Sequence, residues 1–275
     1  MNSDLANKVV MITGASGGIG SAMARQFASE GAKLVLHYRS NRVNAMALAG
    51  ELKSTEIAAL GANLMKETEV KRLFSVAIKR FGRIDSLIVN AGSWETRDVP
   101  MHRMSLGQWR WTLDAVLTSA FLSLREFMAV VARQKRGNAV LIASTAGIFG
   151  EAGHADYASA KAAMAFGLTR TLKNEISRIA PHTSDYCGGR INCVCPGWTI
   201  VPRNEAKLRD KAMVRKVTAT MALPQIARAE DIANATVFLA SDALARHVTG
   251  QTLVVAGGME GRWLWRPEEV DAGIA

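Results

Sequence analysis

An alternation of short apolar runs with longer helical stretches limits what this 275-residue chain can fold into. The apolar runs lack the in–out alternation of a half-solvated sheet, which is typical of strands buried on both faces of a parallel sheet. We predict strands at residues 8–13, 33–38, 57–60, 85–90, 139–144, 190–195 and 251–256. The main helical stretches span residues 18–30, 66–81, 109–134 and 157–179. This order predicts an α/β fold: one doubly wound domain with a parallel seven-stranded sheet and helices on both faces.

The composition favours a single domain over residues 1–275. The chain is 49% hydrophobic and 21% charged, and no proline-, serine- or glycine-rich linker interrupts the pattern. No apolar run reaches the ~18 to 20 residues of a membrane span, and the N-terminus lacks a basic segment followed by an apolar stretch. We therefore expect a cytoplasmic protein that does not bind a membrane.

The chain is basic, with a formal net charge of +10. Such a charge attracts nucleic acids, anionic membranes or acidic partners, but no nucleic-acid recognition motif accompanies it, so we do not expect nucleic-acid binding. Basic residues concentrate at Arg133, Lys135 and Arg136 and again within residues 203–216. Each group is either a solvated helix face or a contact for an anionic substrate, cofactor or carrier protein.

Three cysteines, Cys187, Cys193 and Cys195, lie within nine residues of each other. No histidine or fourth cysteine stands at zinc-site spacing, so we predict no metal site. Cys193 and Cys195 should share one face of a strand, and we interpret them as small buried side chains.

A glycine-rich turn, Thr13–Gly20, follows the first predicted strand and leads into a helix. Glycine lets a backbone turn sharply or approach a ligand closely, and a helix N-terminus offers free amides to a diphosphate. Because ligands of doubly wound sheets bind beyond the carboxyl ends of the strands, this turn is a candidate dinucleotide site. Its spacing is G-x-x-x-G-x-G, with Gly14, Gly18 and Gly20 as the glycines.

The end of the second strand indicates which dinucleotide the turn would hold. Selectivity for NAD usually requires a carboxylate here for the adenosine ribose. The chain instead has Tyr38, Arg39, Ser40 and Asn41. A guanidinium suits a 2′-phosphate, so NADP(H) is favoured over NAD(H), which stays possible.

Tyr157 and Lys161 stand four residues apart in "YASAK". On a helix this spacing places both side chains on one face. An ammonium group near a phenol favours the charged phenolate, so we expect Lys161 to lower the pKa of Tyr157 and make it a useful acid or base.

Together these motifs resemble the short-chain dehydrogenase/reductase family. "TGASGGIG" is similar to the family's cofactor loop, "NAG" (Asn90 to Gly92) follows the fourth strand, and Ser144 closes the fifth strand before "YASAK". "RINCVCPG" resembles the sixth strand and its Pro-Gly turn, and "DIANATVFLASDALARHVTGQTLVVAGG" resembles the C-terminal helix and last strand. The resemblance covers nearly the whole chain and implies a Rossmann dinucleotide-binding and catalytic domain.

The resemblance implies an oxidoreductase that transfers a hydride between NADP(H) and a ketone or secondary alcohol. Tyr157 would be the general acid/base, Lys161 would tune it and bind the nicotinamide ribose, and Ser144 would bind the substrate oxygen. A 3-oxoacyl thioester is the leading substrate guess. Polyol, sugar or cyclic-alcohol oxidation and a catalytically weak cofactor-binding sensor are the alternatives.

The resemblance also implies the residues that line the site. The expected substrate-binding residues are Trp94, Ser144, His154 and Trp198. The expected cofactor-binding residues are Gly14, Ser16, Gly18, Ile19, Gly20, Tyr38, Arg39, Ser40, Asn63, Leu64, Asn90, Ala91, Gly92, Tyr157, Lys161, Pro196, Gly197 and Thr199.

Other expectations concern partners and mobile parts. We expect a substrate lid at about 198–222 and a C-terminal tail at about 259–275 that reaches a neighbouring subunit. An acidic acyl carrier protein would suit the basic groups. Members of the family commonly form tetramers, so a homo-oligomer (tetramer or dimer) is expected, paired through the helices at about 109–134 and 157–179.

The chain departs from the family's pattern at a few positions. Val116 stands where the family usually has an asparagine whose main chain holds a proton-relay water, so we expect a slower or differently routed enzyme. Asn63 replaces a usual aspartate near the adenine. Val201 replaces a usual threonine near the nicotinamide amide, although Thr199 is close by.

Overall fold

The fold is a parallel sheet between two layers of helices. The computed structural model describes residues 2–53 and 55–259, so the expected C-terminal tail lies outside the described residues except for Met259. Within those ranges seven strands form one sheet in the order β3-β2-β1-β4-β5-β6-β7, with every pair parallel. The predicted fold class is confirmed.

The strands lie close to their predicted positions. They are β1 Val9–Ile12, β2 Lys33–Tyr38, β3 Ile57–Gly61, β4 Ser86–Val89, β5 Asn138–Ile142, β6 Arg190–Pro196 and β7 Thr252–Val255. Chain order departs from spatial order between β3 and β4, because the chain crosses back over the sheet to place β4 beside β1. In doubly wound sheets this reversal opens a crevice at the carboxyl ends of the strands.

Ten α-helices appear among the described residues. They are α1 Gly18–Ser29, α2 Arg42–Glu51, α3 Glu67–Phe81, α4 Leu106–Leu113, α5 Ser119–Gln134, α6 Ala146–Phe149, α7 Ala155–Ala162, α8 Thr169–Ile179, α9 Lys211–Thr218 and α10 Ala229–Ala240. Buried side chains of α3, α5 and α8 form one core with alternate strand residues. Side chains of α1 and α10 form a second core on the opposite face.

Two predicted helices are interrupted. The stretches expected at 109–134 and 157–179 each contain one π-helical segment, Asp114–Thr118 and Ala163–Leu168. Each segment is flanked by regular α-helix on both sides, so periodicity alone did not mark it. Such widened turns often occur at functional sites. Helix α2 was also missed, because only Ala45 and Leu48 of its ten residues are buried and the apolar pattern is correspondingly weak.

One helical run, Leu106–Gln134, is long and apolar enough to cross a membrane by length and composition. However, 56% of its most apolar window is buried inside the protein. Its side chains Leu124, Phe127 and Val131 belong to the core beneath the sheet. This burial is typical of a core helix in a globular protein.

Candidate active site

A cavity of about 760 Å³ lies at the carboxyl edge of the sheet. All but one of the residues expected to bind cofactor or substrate line it. These are Gly14, Ser16, Gly18, Ile19, Gly20, Arg39, Ser40, Asn63, Leu64, Asn90, Ala91, Gly92, Trp94, Ser144, His154, Tyr157, Lys161, Pro196, Gly197, Trp198 and Thr199. Tyr38 is not among the lining residues. Its ring lies against Gly61, where an added Cβ would be 3.0 Å from the ring.

The glycine turn can pack closely because four of its positions, Gly14, Gly17, Gly18 and Gly20, lack side chains. Gly14 has a positive φ of 67°, which a side chain would strain, and it lies against the Ala91 backbone. A Cβ on Gly20 would overlap the carbonyl oxygen of Gly14. The backbone therefore makes a tight turn at the N-terminus of α1, here called the glycine cradle, and the free amides of a helix N-terminus suit a diphosphate.

Hydrogen bonds from neighbouring strands hold this turn. The Asn90 amide donates to the carbonyl oxygens of Thr13 and Gly14 at 3.0 and 3.2 Å. The Thr13 hydroxyl donates to Ile88 O and accepts from the backbone amides of Asn90 and Ala91. Asn90 therefore shapes the cradle in addition to lining it.

His37 is a site residue that sequence reasoning missed. Its Nδ1 accepts from the Gly14 amide at 3.1 Å, and its Nε2 lies 3.0 Å from the carbonyl oxygen of Ala62. Burial lowers the pKa of His37 to about 4, so the ring is neutral at physiological pH and can play both roles. The sequence held one indication of this role, a polar histidine within a mostly apolar predicted strand.

The end of β2 carries no carboxylate in residues 37–41. Arg39, Ser40, Asn41 and Asn44 line the cavity there instead. Donors of this kind suit a phosphate better than a ribose diol. The glycine cradle and these polar side chains at the end of β2 together fit a dinucleotide.

The three residues expected to be catalytic converge where β5 ends and α7 begins. Lys161 is buried, and its Nζ donates to the carbonyl oxygen of Ile142, the last residue of β5, at 2.7 Å. Tyr157, one helical turn earlier, lies close enough to Ser144 for the Ser144 side chain to act on its pKa in the lowering direction. The Ser144 Oγ also accepts from the Ala146 amide at 3.1 Å. The structure thus brings together the three residues that the sequence singled out.

Comparisons with known proteins identify the family of this chain. The family model described as enoyl-(acyl carrier protein) reductase matches residues 14–260. A 3-oxoacyl-[acyl-carrier-protein] reductase from Synechocystis sp. is 34% identical over 257 residues, covering 93% of this chain and 98% of the relative. The 3-oxoacyl-[acyl-carrier-protein] reductase FabG from Staphylococcus epidermidis is 33% identical over 255 residues, covering 92% and 99%. The chain belongs to the short-chain dehydrogenase/reductase family.

A solved structure supports the fold independently. The crystal structure of gox2181 matches with a TM-score of 0.84 over 94% of this chain and 97% of that one, at 24% identity. With family and fold agreeing, this short-chain dehydrogenase/reductase is an oxidoreductase acting on carbonyl or alcohol groups.

The expected effect of Lys161 on Tyr157 is not what the structure shows. Burial raises the pKa of Tyr157 to about 12, while the hydrogen bond with Ser144 and the charge of Arg203 act in the lowering direction. Burial also lowers the pKa of Lys161 to about 8. Removal from water is therefore the largest influence on both pKa values. Lys161 Nζ donates its hydrogen bond to Ile142 O and lies 5.8 Å from the centroid of the Tyr157 ring.

Asp156 fixes the start of α7 and was missed by sequence reasoning. Its buried carboxylate accepts from the Thr112 hydroxyl at 2.7 Å, from Gln108 Nε2 at 3.2 Å and from the Tyr157 amide at 2.8 Å. These bonds hold α7 against α4, and so fix the position of Tyr157 in the cavity.

Val116 lies within the π-helical segment Asp114–Thr118. The segment forms although valine offers no side-chain hydrogen bond, so the helix distortion does not depend on an asparagine here. The Val116 carbonyl oxygen accepts from Ser119 Oγ at 3.1 Å, and the same hydroxyl reaches Ala115 O at 2.9 Å. Ser119 lines the cavity and supplies a hydroxyl beside the position that the sequence left in doubt.

The far end of the cavity is aromatic and partly charged. The Trp94 ring stacks on Tyr157 with centroids 4.3 Å apart, and the Arg203 guanidinium lies 4.0 Å from the Trp94 centroid. His154 Nε2 pairs with Asp98 Oδ1 at 3.0 Å. Trp198 packs on Met221, Ala256 and Met259.

Replacement of Lys161 by methionine should change how stability depends on pH. With a folded pKa near 8 against an ordinary value of 10.5, folding releases a proton between these pH values, so wild-type stability rises with pH there. We expect the free energy of unfolding of wild type, relative to Lys161→Met, to increase by about 3 kcal/mol from pH 8 to pH 10.5.

Urea unfolding across this pH range measures the difference. The exposed-lysine control, Lys79→Met, should differ from wild type by an amount that does not vary with pH. A pH-independent difference for Lys161→Met as well would contradict a burial-depressed pKa.

Proposed function

We propose that this protein is an NADP(H)-dependent reductase that delivers a hydride to a ketone, with a 3-oxoacyl thioester as the leading substrate. The observation that carries the proposal is the convergence of Ser144, Tyr157 and Lys161 beside the glycine cradle at one edge of the sheet. The names of the 3-oxoacyl-[acyl-carrier-protein] reductase relatives support the substrate class.

The chain's own residues would hold the cofactor along the edge. The glycine cradle would take the diphosphate, and Arg39 with Ser40 would take a 2′-phosphate. Asn63 and Leu64 would face the adenine, and Lys161 the nicotinamide ribose. A bound nicotinamide would supply the hydride.

Tyr157 would serve as the proton donor. Its raised pKa keeps the phenol protonated near neutral pH, which is the form needed to protonate a carbonyl oxygen as it becomes an alcohol. The Ser144 hydroxyl would donate a hydrogen bond to the same oxygen and stabilise the charge that develops there. Lys161, whose pKa of about 8 allows it to lose or regain a proton near neutral pH, would help to reprotonate Tyr157.

The charge distribution supports an anionic partner. Arg133, Lys135 and Arg136 lie at the end of α5, and Arg136 is held there by Asp185 O and the Tyr186 ring. A carboxylate-rich acyl carrier protein would be attracted to such a surface.

Exposed aromatic side chains on neighbouring helices, Trp111, Phe121 and Phe166, support pairing into a homodimer or homotetramer. We place the enzyme in the cytoplasm.

The direct experiment follows NADPH and NADH oxidation at 340 nm with a panel of ketones that includes an acetoacetyl thioester. Tyr157→Phe should lower turnover at least 100-fold, because a positioned general acid contributes roughly 10²- to 10⁴-fold. It should leave NADPH binding intact, which fluorescence titration checks. Undiminished turnover in Tyr157→Phe would overturn the assignment.

Arg39→Gln should separate the two cofactors. Loss of a charge-assisted contact costs about 1.5 to 3 kcal/mol, so NADPH should bind about 10- to 100-fold more weakly while NADH binding changes little. Isothermal titration of both cofactors measures this. Equal weakening of both, or a wild type that prefers NADH, would contradict the role of Arg39.

A second candidate, a cofactor-binding sensor with little turnover, is favoured by one observation. Val116 replaces the asparagine that the family resemblance implies, and its carbonyl oxygen is already bonded to Ser119. If this second candidate is correct, NADPH binds but is not oxidised with any ketone of the panel. In the reductase, Val116→Asn should raise turnover and shift its pH profile, whereas an unchanged profile would count against a relay defect.

A further inference from the structure

The ring of Trp94 contacts both Tyr157 and Arg203. One face stacks on Tyr157, with centroids 4.3 Å apart and an interplanar angle of 24°. The Arg203 guanidinium lies 4.0 Å from the same ring's centroid. A substrate placed between Trp94 and Tyr157 would need almost twice that separation. In this arrangement Trp94 contacts the proposed acid Tyr157 directly.

Arg203 reaches this place because the start of the lid segment (residues 198–222) is tied down. Asn204 closes a tight turn: its Nδ2 donates to Thr199 O at 2.7 Å, and its Oδ1 accepts from the Val201 amide at 2.9 Å. The Ile200 amide bonds to Ala227 O at 2.8 Å, and the Ala227 amide to Trp198 O at 3.1 Å. This turn presents Arg203 to Trp94.

The same turn touches the cofactor side of the site. A Cβ on Gly18 would lie 2.6 Å from Val201 Cγ1 and 3.1 Å from Pro202 Cδ. Three consecutive residues, Val201, Pro202 and Arg203, thus contact the glycine cradle at one end and Trp94 at the other. The lid segment bridges the two halves of the cavity.

Trp94 is itself held by its own loop. The Val99 amide bonds to Gly153 O at 2.9 Å, and Asp98 pairs with His154 at 3.0 Å. A Cβ on Gly153 would lie 2.9 Å from Asp98 Cβ, so the two loops are in close contact. His154 therefore supports the loop that carries Trp94, and its position is explained without a substrate contact.

We propose that Trp94 and Arg203 are positioning residues that couple the lid segment to Tyr157 through two successive contacts, of the guanidinium with the indole and of the indole with the phenol. Arg203 anchors the lid segment on Trp94. Because Trp94 also stacks on Tyr157, a movement of the lid segment would change the position of the phenol ring. Only the kinetic consequences rest on the proposed reductase function; the anchoring of the lid does not.

Hydrogen–deuterium exchange of the full-length protein tests the anchoring without any substrate. Cation–π and stacking contacts of this size correspond to about three- to tenfold in a local opening equilibrium. Arg203→Gln and Trp94→Leu should raise the exchange rate of amides in residues 199–218 by that factor. Trp94→Phe, which keeps an aromatic face, should stay near wild type.

Arg97→Gln is the matched control, because Arg97 is exposed and pairs with Glu95 outside the stack. It should leave lid exchange unchanged. Equal lid exchange in wild type, Arg203→Gln and Trp94→Leu would overturn the anchoring. The near-UV circular dichroism signal of the stacked Trp94–Tyr157 pair should be present in wild type and absent from Trp94→Leu. An unchanged spectrum in Trp94→Leu would overturn the stacking.

Steady-state kinetics with NADPH and an accepted ketone test the coupling to Tyr157. Trp94→Leu should lower kcat about tenfold and move the pH profile, with KM nearly unchanged for ketones of different size. Trp94→Phe should restore most of kcat. A raised KM with unchanged kcat would overturn the proposal, because it would place Trp94 in direct contact with the substrate. Absence of turnover in wild type would instead reject the reductase function and leave the exchange result to decide the anchoring.

Discussion

The site depends on one buried ammonium group and the carbonyl oxygen that it finds. Lys161 is almost completely removed from water, and its Nζ donates to Ile142 O at the end of β5. An unpaired buried charge is costly, so this bond fixes α7 against the sheet. The fit also needs Gly147, where a Cβ would lie 2.6 Å from the Ala162 amide nitrogen. Tyr157, one turn earlier on the same helix, is thereby brought to Ser144.

The rest of the cavity is arranged around that fixed point. On the cofactor side, the neutral ring of His37 and the Thr13 hydroxyl supply hydrogen bonds that hold the glycine-rich turn. On the substrate side, Asp156 ties α7 to α4, and the Asp98–His154 pair supports the loop of Trp94. Buried polar groups with hydrogen-bond partners rigidify a site, because moving one partner away leaves the other unsatisfied and costs free energy.

Much of the fold was predictable because its signals are local. Buried strands such as β1 are continuous apolar runs, and the glycine turn and the Tyr157–Lys161 spacing are short motifs. The π-helical segments, helix α2 and the tie from Asp156 to Thr112 were not, since they depend on contacts between residues distant in sequence or on weak amphipathicity. The same limit explains the error about Tyr157: four-residue spacing shows that two groups are near, but burial decides their pKa values. Tyr38 illustrates it again, because its neighbour Gly61 comes from β3.

The central claim is that burial, rather than the neighbouring ammonium, sets the protonation of Tyr157. Tyrosinate absorbance at 295 nm, recorded for wild type and Tyr157→Phe from pH 7 to pH 11, measures it directly. We expect the two titration curves to coincide over this range, because the pKa of Tyr157 is about 12 and its phenol stays protonated. An additional tyrosinate in wild type with a midpoint below pH 10 would show that Lys161 controls the phenol and would contradict the claim.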